Sequence, residues 1–317
     1  MLAVLPLVLL NTVFGQGSQS SVPEEIIITG KVSGPPLWQV KNGDNTLWIF
    51  GFLSPLPEDF RFDSSGLEKV IAGADEVLSR PDLEMSESLG PFKAIGLYRQ
   101  YRKMRVNDDG KTLDEVLPAE LYVRVLAARE TYGPRGKGLL KLRPLFAALA
   151  LDKAAREKAG FKDAAIVGNN ITRLVKLHKV QLTELLVESD LSYRAMLDEV
   201  DAMSPAAELA CLRTSLERIE TDIEGMKERA RAWGYGYMSE LYAMEFPDPQ
   251  GACVEAILEG PNLKALFTQA EALWLVNAER ALTENHSTFA LLEMQTLLAS
   301  DGLLARLKDK GYEVVAP

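Results

Sequence analysis

The chain has 317 residues, 47% of them hydrophobic and 25% charged, with a formal net charge of −10. That apolar content can build a sizeable core without metals or many cross-links, so disorder is excluded as the reading of the whole chain. The negative balance opposes a nucleic-acid backbone or an anionic membrane as partner, because both need a surplus of Lys and Arg.

Met1 to Leu10 is almost wholly apolar and runs into Gly15, Gln16, Gly17 and Ser18. The expected organisation is a signal peptide and short linker over 1–22, with Val13 and Gly15 as small residues before the cut, and a single domain over 23–317. Such a run is too short to span a bilayer, and the mature chain is expected to carry no stable membrane span. No Lys or Arg precedes the run, which leaves an ordinary buried strand as the competing reading. Export would place the protein in the periplasm or outside the cell.

Glu25 to Val32 is a β-branched run stopped by Gly34, Pro35 and Pro36, and is expected to be a strand. Next, two apolar stretches flank Asn42, Gly43 and Asp44, the turn chemistry of a hairpin in which Trp38 and Val40 face Leu47 or Ile49. A helical period over Leu67 to Ala74 and a short strand over Glu76 to Ser79 complete a β-α-β start. Arg99, Arg102, Lys103 and Arg105 are read as a solvated helix face.

Lys111 to Val187 reads as mainly helical, with breaks at Leu117 and Pro118, at Gly133 to Gly138, and at Gly160 to Asp163. Ser204 and Pro205 then offer an N-cap and a first-turn proline for one long helix. Leu209, Leu212, Leu216, Ile219, Ile223, Met226 and Trp233 form its apolar seam. The seam is expected to pack on the chain's own helices, with a homodimer through 204–233 as the alternative. Near the end, Ser287 to Met294 is a strand candidate. Ser300 or Asp301 caps a short helix, Gly311 ends it, and Tyr312 to Val315 forms a last strand. The fold class is therefore α/β, with a mixed central sheet built from N- and C-terminal strands and a largely helical middle region.

The two cysteines, Cys211 and Cys253, are either disulfide partners or separate buried thiols. His178, among basic residues, and His286, in a loop, are both read as surface histidines. No phosphate-binding loop, dinucleotide fingerprint, His-Glu-x-x-His helix or Cys-x-x-Cys pair occurs, so no cofactor is expected.

The segment PPLWQVKNGDNTLWIFGFLSPLP resembles the opening of TraB/GumN proteins, a family that includes the Tiki ectodomains. The stretches TLDEVLPAELYVRVLAARETYG and LLKLRPLFAALAL are similar to its central helices, and TFALLEMQTLLASDGLLARLKDKGYEV to its final strand-helix-strand unit. The resemblance implies an α/β fold with a metal-dependent hydrolase site made of histidines in two Gly-x-x-His motifs plus acidic residues, a site proposed to be a protease in the Tiki members. Here the first motif reads Gly51, Phe52, Leu53, Ser54, and the second reads Glu293, Met294, Gln295, Thr296, so neither contains a histidine. A Ser or Thr hydroxyl does not replace neutral imidazole as a ligand near neutral pH, so no metal is expected.

Two functional readings follow. The first is a non-catalytic family member in the cell envelope, binding a peptide or protein ligand in a degenerate cleft around Gly51, Ser54, Glu84, Glu293 and Thr296. The alternative is a peptidase-like hydrolase in which Glu84 or Glu293 is the base and Ser54 or Thr296 positions water or substrate; it requires these side chains to converge. Asp82 joins Glu84 and Glu293 as a candidate for paired-carboxylate chemistry.

Overall fold

The computed structural model describes residues 34–133, 138–162, 165–244, 251–299 and 302–317. The expected leader and the expected strand over Glu25 to Val32 lie outside these residues. Everything described belongs to one unit, Val32–Pro317.

The chain starts with the expected hairpin, β1 (Leu37–Asn42) and β2 (Asn45–Phe52). Gly43 takes a φ of 60° in a two-residue loop, as the first central position of a type II′ turn requires. Trp38 pairs with Ile49 and Val40 with Leu47. After a short β3 (Leu56–Pro57), helix α1 (Ser65–Ala72) leads into β4 (Glu76–Met85). This strand continues well past Ser79, where it had been expected to end. A bulge between Leu78 and Pro81 accommodates the proline, and the Ser79 hydroxyl accepts the amide N–H of Leu185 at 2.9 Å.

The helical middle contains α2 (Pro91–Met104), α3 (Leu113–Val116), α4 (Ala119–Thr131) and α5 (Pro144–Lys158). A two-residue β5 (Phe161–Lys162) pairs with β3, and α6 (Ala165–His178) follows. The helical reading up to Val187 is corrected here, because Gln181–Ser189 is a strand, β6. Leu182, Leu185 and Leu186 fit a helical period, but Lys179 at φ 55° ends α6, and Leu185, Val187 and Ser189 are buried at a spacing of two.

Beyond it lie α7 (Tyr193–Asp201), α8 (Pro205–Thr221) and α9 (Ile223–Tyr235). Ser204 caps α8 as expected, accepting the Ala207 N–H at 3.1 Å. The single long helix over 204–233 is corrected to two helices that break at Asp222, whose carboxylate turns to accept from Arg229 at 2.7 Å. Along the seam, Leu212, Leu216, Ile219, Met226 and Trp233 are buried within the chain, so the seam offers no apolar face for a second copy.

The remaining elements are α10 (Met238–Ala243), α11 (Gly251–Ile257), α12 (Pro261–Glu284), β7 (Ser287–Glu293), α13 (Met294–Leu298), α14 (Leu303–Asp309) and β8 (Glu313–Val315). Ser300 and Asp301 lie outside the described residues, and Gly302 occupies the N-cap position of α14. Gly311 takes a φ of 95°, the left-handed conformation expected after this helix.

Among the described residues, six strands form one sheet in the order β6-β4-β7-β2-β1-β8. The first four are mutually parallel, and β1 is antiparallel to both its neighbours. Strands from both ends of the chain thus share one mixed sheet around a helical middle, as the sequence pattern implies. Thr288, Phe289 and Ala290 on β7 are buried in succession, which requires cover on both faces of the sheet. Trp38, Val40, Leu47, Ile49 and Gly51 lie on one face, toward α12 and α13, while Phe50 and Phe289 lie on the other, with Trp233 of α9. A second apolar core is mainly helical, built chiefly from α4, α5, α8 and α11. Of the two readings left open for the cysteines, the structure has the disulfide: within this core Cys211 of α8 is bonded to Cys253 of α11.

Candidate functional site

In open α/β sheets, ligand crevices form beyond the carboxyl ends of parallel strands. Here β2 and β7 are adjacent and parallel, with Phe52 opposite Glu293. The stretches Gly51–Ser54 and Glu293–Thr296 therefore leave the sheet side by side at that end.

Gly51 is buried, and a Cβ built on it would sit 2.6 Å from the Met294 sulfur and from the Trp38 ring. No other residue fits without displacing that packing. Its carbonyl oxygen accepts the Trp233 indole N–H at 2.7 Å. Ser54 is exposed in the loop after β2, and Thr296 is half-buried on α13.

Glu293 ends β7 as an exposed carboxylate, with Arg80 Nη1 at 3.4 Å from its Oε1. Arg80 was not legible as a site residue. It belongs to the bulge of β4, and the signal for that bulge was Pro81, a residue that a regular inner strand cannot hold.

The candidate carboxylates do not gather. Leu78 of β4 is level with Ala290 of β7, so Glu293 is three residues past that level and Glu84 six. The bulge takes one of those residues out of the ladder, so Glu84 lies two positions, about 7 Å, further along the strands. Glu84 and Asp82 are exposed on β4, with Glu84 opposite Glu188 of β6. Ser54, Glu293 and Thr296 share this end of the sheet, but among the described residues no hydrogen bond joins a carboxylate to either hydroxyl, as a base and its partner would require.

Both histidines lie at the opposite end of the sheet. His286 is exposed immediately before β7, and His178 ends α6, with its Nε2 3.0 Å from Glu68. Among the described residues no three His, Cys, Asp or Glu side chains are grouped to hold a metal ion. With hydroxyls at Ser54 and Thr296, the side chains at the ends of β2 and β7 do not fit a divalent metal of the kind the resemblance implies.

The described cavity lies alongside. It has about 250 Å³ between β4, β6, α7 and α12, and its walls include Leu83, Val187, Met196 and Phe267. Asp82 is the one charged residue of its lining, so the space suits an apolar group rather than an ion.

Another polar cluster is buried at the amino ends of the strands. Glu76 accepts from Arg280 of α12 at 2.8 Å on both oxygens, from Asn285 at 2.8 Å, and from the Thr183 hydroxyl. Burial pushes the Glu76 carboxyl up, but these hydrogen bonds and the Arg280 charge outweigh it and hold it below the usual carboxylate value. All its acceptor positions are occupied by the protein, so this cluster fastens α12 to the sheet.

The pattern of the TraB/PrgY/gumN family matches residues 36–316, nearly the whole described chain. The chain belongs to that family. Within this TraB/PrgY/gumN protein, the match spans both degenerate motifs and the helical middle between them. No curated protein and no solved structure matches it significantly.

Proposed function

We propose that this TraB/PrgY/gumN protein is a non-catalytic member that binds a peptide or protein ligand at the carboxyl ends of β2, β7 and β4. The observation that carries this reading is the in-register exit of the two motif segments with the Gly51 packing kept, while Ser54 and Thr296 stand where the resemblance implies imidazoles. Hydroxyls there supply neither a metal ligand nor a base at neutral pH. The apolar cavity beside Leu83 and Met196 supports a ligand with an apolar side chain. An exported location, in the periplasm or outside the cell, belongs to the same proposal, and the Cys211–Cys253 bond supports it because such bonds persist in oxidising compartments.

The test is metal content and peptide hydrolysis on the purified protein beside a Ser54→His and Thr296→His double variant. The proposal expects neither bound metal nor turnover in the wild type, and metal uptake by the variant. Stoichiometric zinc or manganese in the wild type, with turnover abolished by chelator, would overturn it.

A further inference from the structure

Helix α2 departs from the charge balance of the rest of the chain. It carries Lys93, Arg99, Arg102 and Lys103 and no acidic residue, in a protein of net charge −10. Phe92, Ile95, Arg99 and Arg102 follow steps of three and four, so they form one stripe along the helix. Met104 and the half-buried Leu97 lie on the opposite side, against the protein.

The stripe faces solvent. Phe92 is 89% exposed, Ile95 50% and the flanking Tyr98 60%. Exposed apolar side chains grouped in this way mark an interaction surface rather than chance. The helix itself is firmly seated. Gln100 donates to Asp198 of α7 at 2.6 Å, and the Tyr101 ring meets Phe146 of α5 edge-on at 6.0 Å. Lys93 is paired with Glu87 at 2.6 Å, whereas among the described residues Arg99, Arg102 and Lys103 have no carboxylate partner. The Arg102 guanidinium rests over the Tyr98 ring at 5.9 Å and remains available to an anion.

Exposed aromatic and aliphatic side chains continued along the same helix by cations without a carboxylate partner match the chemistry of an anionic lipid surface. A partner that offered only carboxylates would satisfy the cations but leave Phe92 and Ile95 in water, where they gain nothing from the contact. The whole-chain charge does not prevent the contact, since carboxylates more than about 10 Å from the bilayer are screened at physiological salt. We propose that α2 docks the protein on anionic membranes, with Phe92 and Ile95 in the acyl boundary and Arg99, Arg102 and Lys103 on lipid headgroups.

The experiment is flotation of the full chain with vesicles of phosphatidylglycerol and phosphatidylethanolamine, beside vesicles of phosphatidylcholine alone. Association is expected with the anionic vesicles only, and to fall as salt is raised to 0.5 M, an arm that needs no variant. Arg99→Gln, Arg102→Gln and Lys103→Gln together should weaken it on the order of 100-fold. Phe92→Ser with Ile95→Ser should weaken it by about tenfold or more. These side chains are largely solvent-facing, and unchanged thermal melts would show that the variants remain folded. No association with anionic vesicles, equal association with neutral ones, or indifference to both variants would overturn the proposal. So would capture on immobilised polyglutamate, sensitive to the arginine variant, with no vesicle binding: that result would assign the face to a soluble acidic partner.

Discussion

The indole N–H of Trp233 donates to the carbonyl oxygen of Gly51 at 2.7 Å, joining residues 182 positions apart. This bond ties the helical middle to the strand that carries the first degenerate motif, and both groups are buried. Trp233→Phe would leave that carbonyl without its donor and open a small cavity, for a loss of about 3 kcal/mol. Gly51→Ala should cost about 1 to 3 kcal/mol by overpacking, since the new methyl would also meet Leu297 at 2.9 Å. Urea midpoints measure both effects. An alanine variant as stable as wild type would mean that the glycine is not held by packing.

Much of this frame was legible because local chemistry and tertiary demand agree. The Gly43 turn, the Ser204 cap and the left-handed Gly311 each follow from a residue type whose backbone preference is strong. The errors arise where two periods fit the same residues. The leucines of β6 satisfy a helical spacing, and only the neighbouring β4 decides for a strand. The break at Asp222 is set by its pairing with Arg229, a contact that apolar periodicity does not register. Helix α12 was missed although Gly260 and Pro261 mark its start. At the site, the motif segments were legible by resemblance, but Arg80 was not. Its partner Glu293 lies 213 residues away, and their meeting depends on strand order.

The Glu76 cluster makes a pH-dependent prediction. Its carboxyl is held below the ordinary value of 4.5, so its contribution is complete above that value and is lost as pH falls through its own lower pKa. Glu76→Gln should therefore lower stability by about 2 kcal/mol at neutral pH, through the lost charge-assisted bonds to Arg280. The gap between wild type and variant should close as the pH is taken below the ordinary carboxylate range. Denaturation midpoints at pH 7 and at a pH well below the ordinary carboxylate value of 4.5 provide the measurement. A gap that does not change with pH would place the effect in packing instead of charge.

Helix α12 is capped from another helix. Glu199 of α7 accepts the backbone N–H groups of Asn262 at 3.1 Å and Leu263 at 3.0 Å, and Gly260 has no side chain with which to do so. Burial pushes the Glu199 carboxyl up, but the donated bonds bring it below its usual value. Glu199→Ala should cost about 1 kcal/mol and speed hydrogen exchange in the first turn of α12, ahead of the rest of the helix. Uniform exchange along α12 would argue against a capping role.

Cys211 and Cys253 close a loop with a sequence separation of 42 inside the helical core, where the leucines of α8 pack on α5 and α11. In the chain-entropy account a loop of that size contributes about 4 kcal/mol by restricting the unfolded chain. Replacing both cysteines by alanine should remove most of that, and the loss should be measured at equilibrium with the sheet core intact. Because both residues are buried, reductant alone should act slowly under native conditions and quickly once urea opens the fold. Thiol counting on protein trapped with alkylating agent at cell lysis then connects this stability to location. Wild-type protein with no free thiol at lysis and a large stability difference from the double variant would support folding in an oxidising compartment. Two free thiols at lysis, with the bond forming only during purification, would detach the disulfide from the export proposal while leaving the helical core as described.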